Sequence, residues 1–277
     1  MRLLRYFFYF VLLLVGSYFL LAFYVDYQLD KQAFADAYDD CHKVWTARGL
    51  YGDGVDQNSI ESIAEAFGEG AMGVEVDIHY DVDLQDYIVS HDYPYNKKNG
   101  KILPLSDLFD ATGDGHYFWL DFKKLRRLSH EQALQAVDRL KAISQRNNLH
   151  QRIYVEGENP TNLALFRKAG FHTIFDTHPA PDDHFLSAFM ITVYKIFFYF
   201  GDHTVMGIEY GDLDNPVYGP NTRQRLGNVP VFLYHLPVDE ALIDEMLALA
   251  AVRAFIVGNN QSVNFHSRNA CGSARAS

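Results

Sequence analysis

Cysteine is nearly absent from this chain. There are two in 277 residues, Cys41 and Cys271, too few for a disulfide framework and without the spacing of a zinc site. One bridge is the most they can form. Positive charge is also scarce: 24 Lys and Arg stand against 35 Asp and Glu, a formal charge of −11. That balance repels phosphate backbones, argues against nucleic acid as the main partner, and disfavours polybasic attachment to a membrane. No internal repeat or low-complexity tract occurs. What the chain does have is apolar material, 48% hydrophobic and 15% aromatic, enough for one large core and too much for a disordered protein.

The apolar residues are concentrated first at the N-terminus, where Tyr6 to Val25 runs twenty residues without a charge. As a helix this stretch is about 30 Å long, enough to cross the hydrocarbon core of a bilayer. A secretory signal has a shorter apolar region followed by a small-residue cleavage site, whereas Tyr24, Val25, Asp26 and Tyr27 follow here. Arg2 and Arg5 precede the span, and Asp26, Asp30, Asp36, Asp39 and Asp40 follow it. The positive-inside bias then places the N-terminus in the cytoplasm and the rest of the chain on the periplasmic or extracellular side. In that oxidising setting a Cys41–Cys271 bridge is an open possibility. The organisation expected is an anchor over 1–26, a linker over 27–42, a folded body over 43–260 and a loose tail over 261–277.

Within the body, short β-rich runs alternate with helical patterns, the mark of a parallel sheet wrapped by helices. Strands are expected at Lys43–Arg48, Met72–His79, Tyr87–Ser90, Tyr117–Phe122, Arg152–Val155, Thr173–Phe175, Val205–Glu209, Val231–Tyr234 and Ala254–Val257. Helices are expected at Ile60–Phe67, Ser129–Gln145, Asn159–Ala169 and Glu240–Leu249. About eight strands in this alternation suggest an α/β fold, a (β/α)8 TIM barrel preceded by one transmembrane helix, with a doubly wound open sheet as the alternative. Phe185–Phe200 carries only Lys195 as a charge. It reads either as a buried barrel helix or as a surface helix whose apolar face lies in the lipid interface.

The acidic residues are patterned too. Alternation along a strand points Glu75 and Asp77 to one face, with His79 following on that side. Two carboxylates so close call for a cation, and oxygen donors suit a hard divalent ion such as Mg2+ or Ca2+, which would also polarise a phosphodiester. His91-Asp92 falls at a strand end, where barrels carry their active sites. Asp121 and Lys123 add a third carboxylate and a cation to the same side. A plainer reading remains open, in which Glu75 and Asp77 form strand-end ion pairs with Arg48 and Lys123 without metal. His79 reads as a packing or supporting residue, and Tyr234 and His235 receive no role.

In order along the chain, Ala47-Arg48-Gly49, Gln57-Asn58-Ser59, Glu75-Val76-Asp77, His91-Asp92 and Asp121-Phe122-Lys123 resemble the glycerophosphodiester phosphodiesterase family, within the superfamily of phosphatidylinositol-phospholipase-C-like barrels. The family's order is His-Arg-Gly, Glu-Asn-Thr, Glu-x-Asp, His-Asp and Glu-x-Lys, and Ile102-Leu103-Pro104-Leu105 is similar to its Ile-Pro-Thr-Leu helix entry. The likeness is densest over residues 43–124. It implies a TIM barrel with a divalent metal, Mg2+ or Ca2+, on Glu75, Asp77 and Asp121, substrate phosphate on Arg48 and Lys123, and His91 as general acid or base. The implied partners are a membrane lipid or a glycerophosphodiester. The family's second catalytic histidine is missing, because Ala47 stands where it would precede Arg-Gly. His42 lies at the wrong end of its strand to replace it, and His178 is the better substitute. The loss of one proton-transfer group, typically a factor of about 10²–10⁴, leaves two further readings open: a barrel that binds phosphorylated lipids or polymers, and a membrane scaffold.

Overall fold

The computed structural model describes residues 2–97, 100–113 and 115–258, with the backbone alone for residues 2 and 3. Eight parallel strands form the core: β1 (Val44–Ala47), β2 (Gly73–Asp81), β5 (Tyr117–Phe122), β6 (Ile153–Gly157), β7 (His172–Thr177), β8 (Val205–Glu209), β11 (Val231–Leu236) and β12 (Val252–Val257). Because β1 pairs in parallel with both β2 and β12, the sheet closes on itself and the open-sheet alternative falls away. The strands are buried on both faces, and β2 is buried along all but its last residue, as expected when helices coat the outside and side chains fill the inside.

Helices α2 (Ile60–Gly68), α3 (Leu105–Thr112), α4 (His130–Arg146), α5 (Pro160–Lys168), α6 (Ser187–Phe200), α7 (Pro220–Leu226) and α8 (Glu240–Ala248) connect the strands. Their starts are written in the sequence. Ser59 and Ser129 each cap their helix in a reciprocal capping box, with Ser62 and Gln132, while Asn159 caps α5 ahead of Pro160.

One expected barrel strand proves to be something else. The segment expected at Tyr87–Ser90 forms β3 (Asp86–Val89), which runs antiparallel to the upper end of β2 and continues to β4 (Leu103–Pro104). It is the return arm of a hairpin standing on the barrel mouth, with Asp81 opposite Asp86. A second small hairpin, β9 (Gly211–Asp212) with β10 (Asn215–Pro216), rises from the mouth end of β8.

The first helix, α1 (Arg2–Lys31), is long and apolar enough to cross a membrane or to serve as a signal sequence. It continues past residue 26 and joins the body. Val25 and Leu29 are buried, Tyr18 packs on Phe189 and Tyr24 on Tyr199 of α6, and Lys195 pairs with Asp26 at 2.6 Å. Within Phe185–Phe200, α6 packs one face on the core through Ile191 and Phe198 and part of the other against α1, while Phe185, Phe189 and Phe200 remain exposed. The segment after α1 crosses the foot of the barrel, where Tyr38 packs edge-on against Trp45 and Tyr117. Cys271, the partner considered for Cys41, and the expected tail over 261–277 lie outside the described residues.

Candidate active site

Strand register builds the site. Ala47 on β1 lies beside Glu75 on β2, Asp77 beside Asp121 on β5, and Asp121 beside Glu156 on β6. Parallel strands in this register turn the inward carboxylates of neighbouring strands into one belt at the C-terminal end of the barrel. Carboxylate oxygens of Glu75, Asp77 and Asp121 all lie within 4.8 Å of one another. The cavity above them has a volume of about 460 Å³. Ala47, Arg48, His91, Lys123, Asp176, His178, Tyr234 and His235 also reach its wall.

Asp77 is the anchor of the group. Arg48 Nε lies 2.8 Å from its Oδ2 and Lys123 Nζ 2.7 Å from its Oδ1. Asn58 donates its amide to Oδ2 at 2.7 Å and accepts from the Asp77 backbone N–H at 3.1 Å. Burial alone would raise this carboxyl, but Lys123, Arg48 and Asn58 outweigh it and hold it below its ordinary range. The Gln57-Asn58-Ser59 motif thereby acquires three jobs: Gln57 accepts from Arg48 at 3.1 Å, Asn58 clamps Asp77, and Ser59 caps α2. The turn that aims Arg48 is sharp. Arg48 has φ +58° and Gly49 φ +81°, and a Cβ on Gly49 would meet the Ser62 backbone at 2.4 Å, so no other residue fits there.

Glu75 differs from Asp77. It is buried; its backbone carbonyl accepts from Arg48 N–H at 2.8 Å, but its carboxyl group makes no hydrogen bond or ion pair with any other described residue. Burial pushes its pKa well up, and the charges of Asp77 and Asp121 push it further. Asp121 pairs with Lys123, yet burial lifts it to about 6, with Asp77 adding to the shift. Lys123 bridges two carboxylates, and their charge more than offsets the effect of burial on its ammonium. The ion-pair reading thus describes Asp77 and Asp121 but leaves Glu75 without a direct partner, the charges of Lys123 and Arg48 offsetting its shift only in part.

His91 arrives by way of the hairpin. Ser90 N–H donates to the Asp77 carbonyl at 3.0 Å, which sets His91 at the mouth, where its Nδ1 lies 2.8 Å from Asp92 Oδ1. His79 is buried against Tyr95 and joins none of the carboxylates. His42 sits at the opposite end, bonded to Asp40 at 2.5 Å. His178 does reach the cavity: its Nε2 is 3.2 Å from Asp176 Oδ2 and its Nδ1 3.4 Å from the Tyr234 hydroxyl. The hydrogen bond with Asp176 raises its pKa despite burial.

Two members of the belt carry no motif and escape a reading of the sequence. Glu156 is buried, accepts from the Trp119 indole at 2.7 Å, and has its pKa raised by burial and then by Asp121 and Asp176. Asp176 accepts from Tyr234 at 3.1 Å. The only sequence signal for either is an acidic residue near the end of a short apolar strand.

No protein-family model matches the chain, and no characterised protein matches it by sequence. Solved structures do match in three dimensions. A glycerophosphodiester phosphodiesterase described from Galdieria sulphuraria superposes with a TM-score of 0.58 at 13% identity, covering 79% of this chain and 94% of that one. One from Thermotoga maritima gives 0.56 at 17%, covering 78% and 93%. An Oleispira antarctica phosphodiesterase, solved with the product sn-glycerol-3-phosphate, gives 0.56 at 13%, covering 82% and 96%. The chain has the fold of the glycerophosphodiester phosphodiesterases.

Proposed function

We propose that this protein is a membrane-tethered phosphodiesterase acting on glycerophosphodiesters or phospholipid head groups, with Mg2+ or Ca2+ held by Glu75, Asp77 and Asp121. The observation that carries this reading is Glu75, a buried carboxyl group beside two others that forms no direct ion pair among the described residues. Burying such a group as an anion is costly unless a cation accompanies it. The donors are all oxygens, which fits a hard divalent ion. When bound, the ion supplies neutralisation of the carboxylates and polarisation of a phosphodiester oxygen.

The chain's own residues do the rest. Arg48 and Lys123, both at the mouth and already held in place by Asp77, bind phosphoryl oxygens and offset charge that develops there. Asp92 holds His91 Nδ1, leaving Nε2 to exchange a proton with the attacking or departing oxygen. His178, oriented by Asp176 and Tyr234, takes the second proton-transfer role that Ala47 does not provide. The helix α1 crosses the bilayer with its N-terminus cytoplasmic and the barrel on the periplasmic or extracellular side.

The same site supports a second reading, a barrel that binds phosphorylated lipids or polymers without turnover, favoured by Ala47 at the cavity wall. Turnover of a glycerophosphodiester by the detergent-solubilised full chain separates the two. Product release with Mg2+ or Ca2+ that EDTA abolishes, and that His91→Ala lowers by about 10²–10⁴, supports the enzyme. Cation binding with no turnover supports the binding barrel. If neither cation binds, the reading of the carboxylates is wrong.

A further inference from the structure

In a TIM barrel each helix after a strand runs back from the mouth to the foot, so Ser187 marks the mouth end of α6 and Phe200 the foot end. Contacts along α1 run in the same overall direction: Tyr18 meets Phe189 near the start of α6, Tyr24 and Asp26 meet Tyr199 and Lys195 in its second half, and Phe34, just beyond α1, meets Phe198. The two helices are therefore parallel, and α1 before Tyr18 projects past the mouth. Nothing in the barrel covers it, for residues 4–17 are all exposed.

The length of that projection decides how deep the barrel sits. From Tyr6, the first residue after Arg5, to Tyr18 the helix rises about 18 Å, whereas a hydrocarbon core is about 30 Å thick. A helix near the membrane normal must make up the difference, on the order of 10 Å, with the stretch that lies against α6. The first charge after the span, Asp26, is paired with Lys195 and so marks the edge of the apolar zone. The rim is dressed for such a position. Phe185 is 83% exposed, Val238 61%, Phe189 54% and Leu213 54%, and these lie on the loops and helix start that follow β7, β8 and β11 at the mouth. Tyr93, after β3, is exposed on the far side of the same rim.

We infer that the mouth of the barrel is pressed against the bilayer surface, with Phe185, Phe189, Leu213 and Val238 in the lipid interface, so that the phosphodiester reaching the carboxylates belongs to an intact membrane lipid. Continuity with α1 selects a bilayer over a protein as the occupant, and an apolar rim immersed by this amount is ordinary for interfacial anchors. The seating of the rim rests on the reading of α1 as the membrane span, and the substrate half rests on the phosphodiesterase reading.

The test uses the full chain in phosphatidylcholine nanodiscs carrying brominated acyl chains. Phe185→Trp and Leu213→Trp report contact, Phe19→Trp within the span is the positive control, and the buried Trp45 and Trp119 give a constant background. Quenching of both rim tryptophans supports the seating. Quenching of Phe19→Trp alone overturns it, and concentration-dependent self-association in that case would identify a second copy as the occupant. Turnover is then compared between the nanodisc lipid and a soluble glycerophosphodiester. Phe185→Ser/Leu213→Ser/Val238→Ser is expected to lower lipid turnover by about tenfold or more while leaving the soluble reaction unchanged. Turnover of the soluble compound alone overturns the lipid substrate and leaves the proposed function standing. Quenched rim tryptophans with no turnover of either compound uphold the seating and overturn the phosphodiesterase.

Discussion

The two ends of the barrel interior are built from opposite materials. At the foot, Tyr38, Trp45, Tyr117, Tyr154 and Phe232 interlock with ring centroids 5.0–6.4 Å apart, a plug of edge-on, tilted and stacked contacts with large apolar area. At the mouth, five acidic side chains face one another around Arg48, Lys123 and His178. Aromatic packing is satisfied by itself, whereas the belt is satisfied only in part. The foot holds the barrel closed, and the mouth holds unspent electrostatic free energy for a ligand.

The largest expected effect comes from breaking the foot. Trp45 is fully buried, and Gly73 leaves room for it, since a Cβ there would stand 2.2 Å from the indole. Trp45→Ala empties the plug and should cost about 3–5 kcal/mol, seen as a fall in the midpoint of thermal unfolding in detergent. A loss no greater than that of an exposed substitution such as Leu134→Ala would show that the plug does not hold the barrel.

A mouth substitution should behave in the reverse way. In EDTA, Glu75→Gln removes a carboxyl whose pKa is driven up by burial and by Asp77 and Asp121. A raised carboxyl costs stability once the pH exceeds the unfolded value of 4.5, so the variant should unfold at a higher temperature than the parent at pH 8. With Ca2+ or Mg2+ the order should invert. The parent gains about 2.7 kcal/mol at a hundredfold excess of cation over its Kd, and the variant gains much less. A cation shift that survives Glu75→Gln would remove this residue from the ligand set.

How much of this was legible follows the same division. The barrel was readable because burial on both faces turns each strand into a short apolar run, and because Ser59, Ser129 and Asn159 announce their helices. The direction of β3 was not, since β-propensity and length are the same for a strand that continues a barrel and one that folds back on it. That Glu75 and Asp77 share a face was legible through spacing, which period-two geometry fixes, and Asp121 was placed on their side by its position near a strand end, two residues before Lys123. Glu156 and Asp176 were not, because a single acidic residue ending an apolar strand has the local pattern of any strand terminus, and only the register of β5, β6 and β7 joins it to the belt. The role of Asn58 was hidden for a similar reason: its partner is 19 residues away and is fixed by the turn at Arg48 and Gly49.

The finest form of the contrast is carried by two histidines. His178 at the mouth is stabilised in its charged form by Asp176. His203, entering β8 from the foot, is buried between Phe175 and Phe198 with its Nδ1 3.3 Å from Thr173 Oγ1. Burial, with Arg167 adding to it, lowers its pKa to about 3 from 6.5. The sign follows from which state takes up the proton. Below pH 6.5 the unfolded chain protonates this imidazole and the folded chain does not, so stability is complete above 6.5 and falls until the pH reaches about 3. At pH 5 the loss should be about 2 kcal/mol. His203→Gln cannot take up the proton, so its stability measured by urea denaturation should fall by less than the parent's between pH 6.5 and pH 5. Equal slopes in the two proteins would mean that His203 is protonated, or hydrated, inside the fold, and that the foot of the barrel is wetter than its aromatic packing implies.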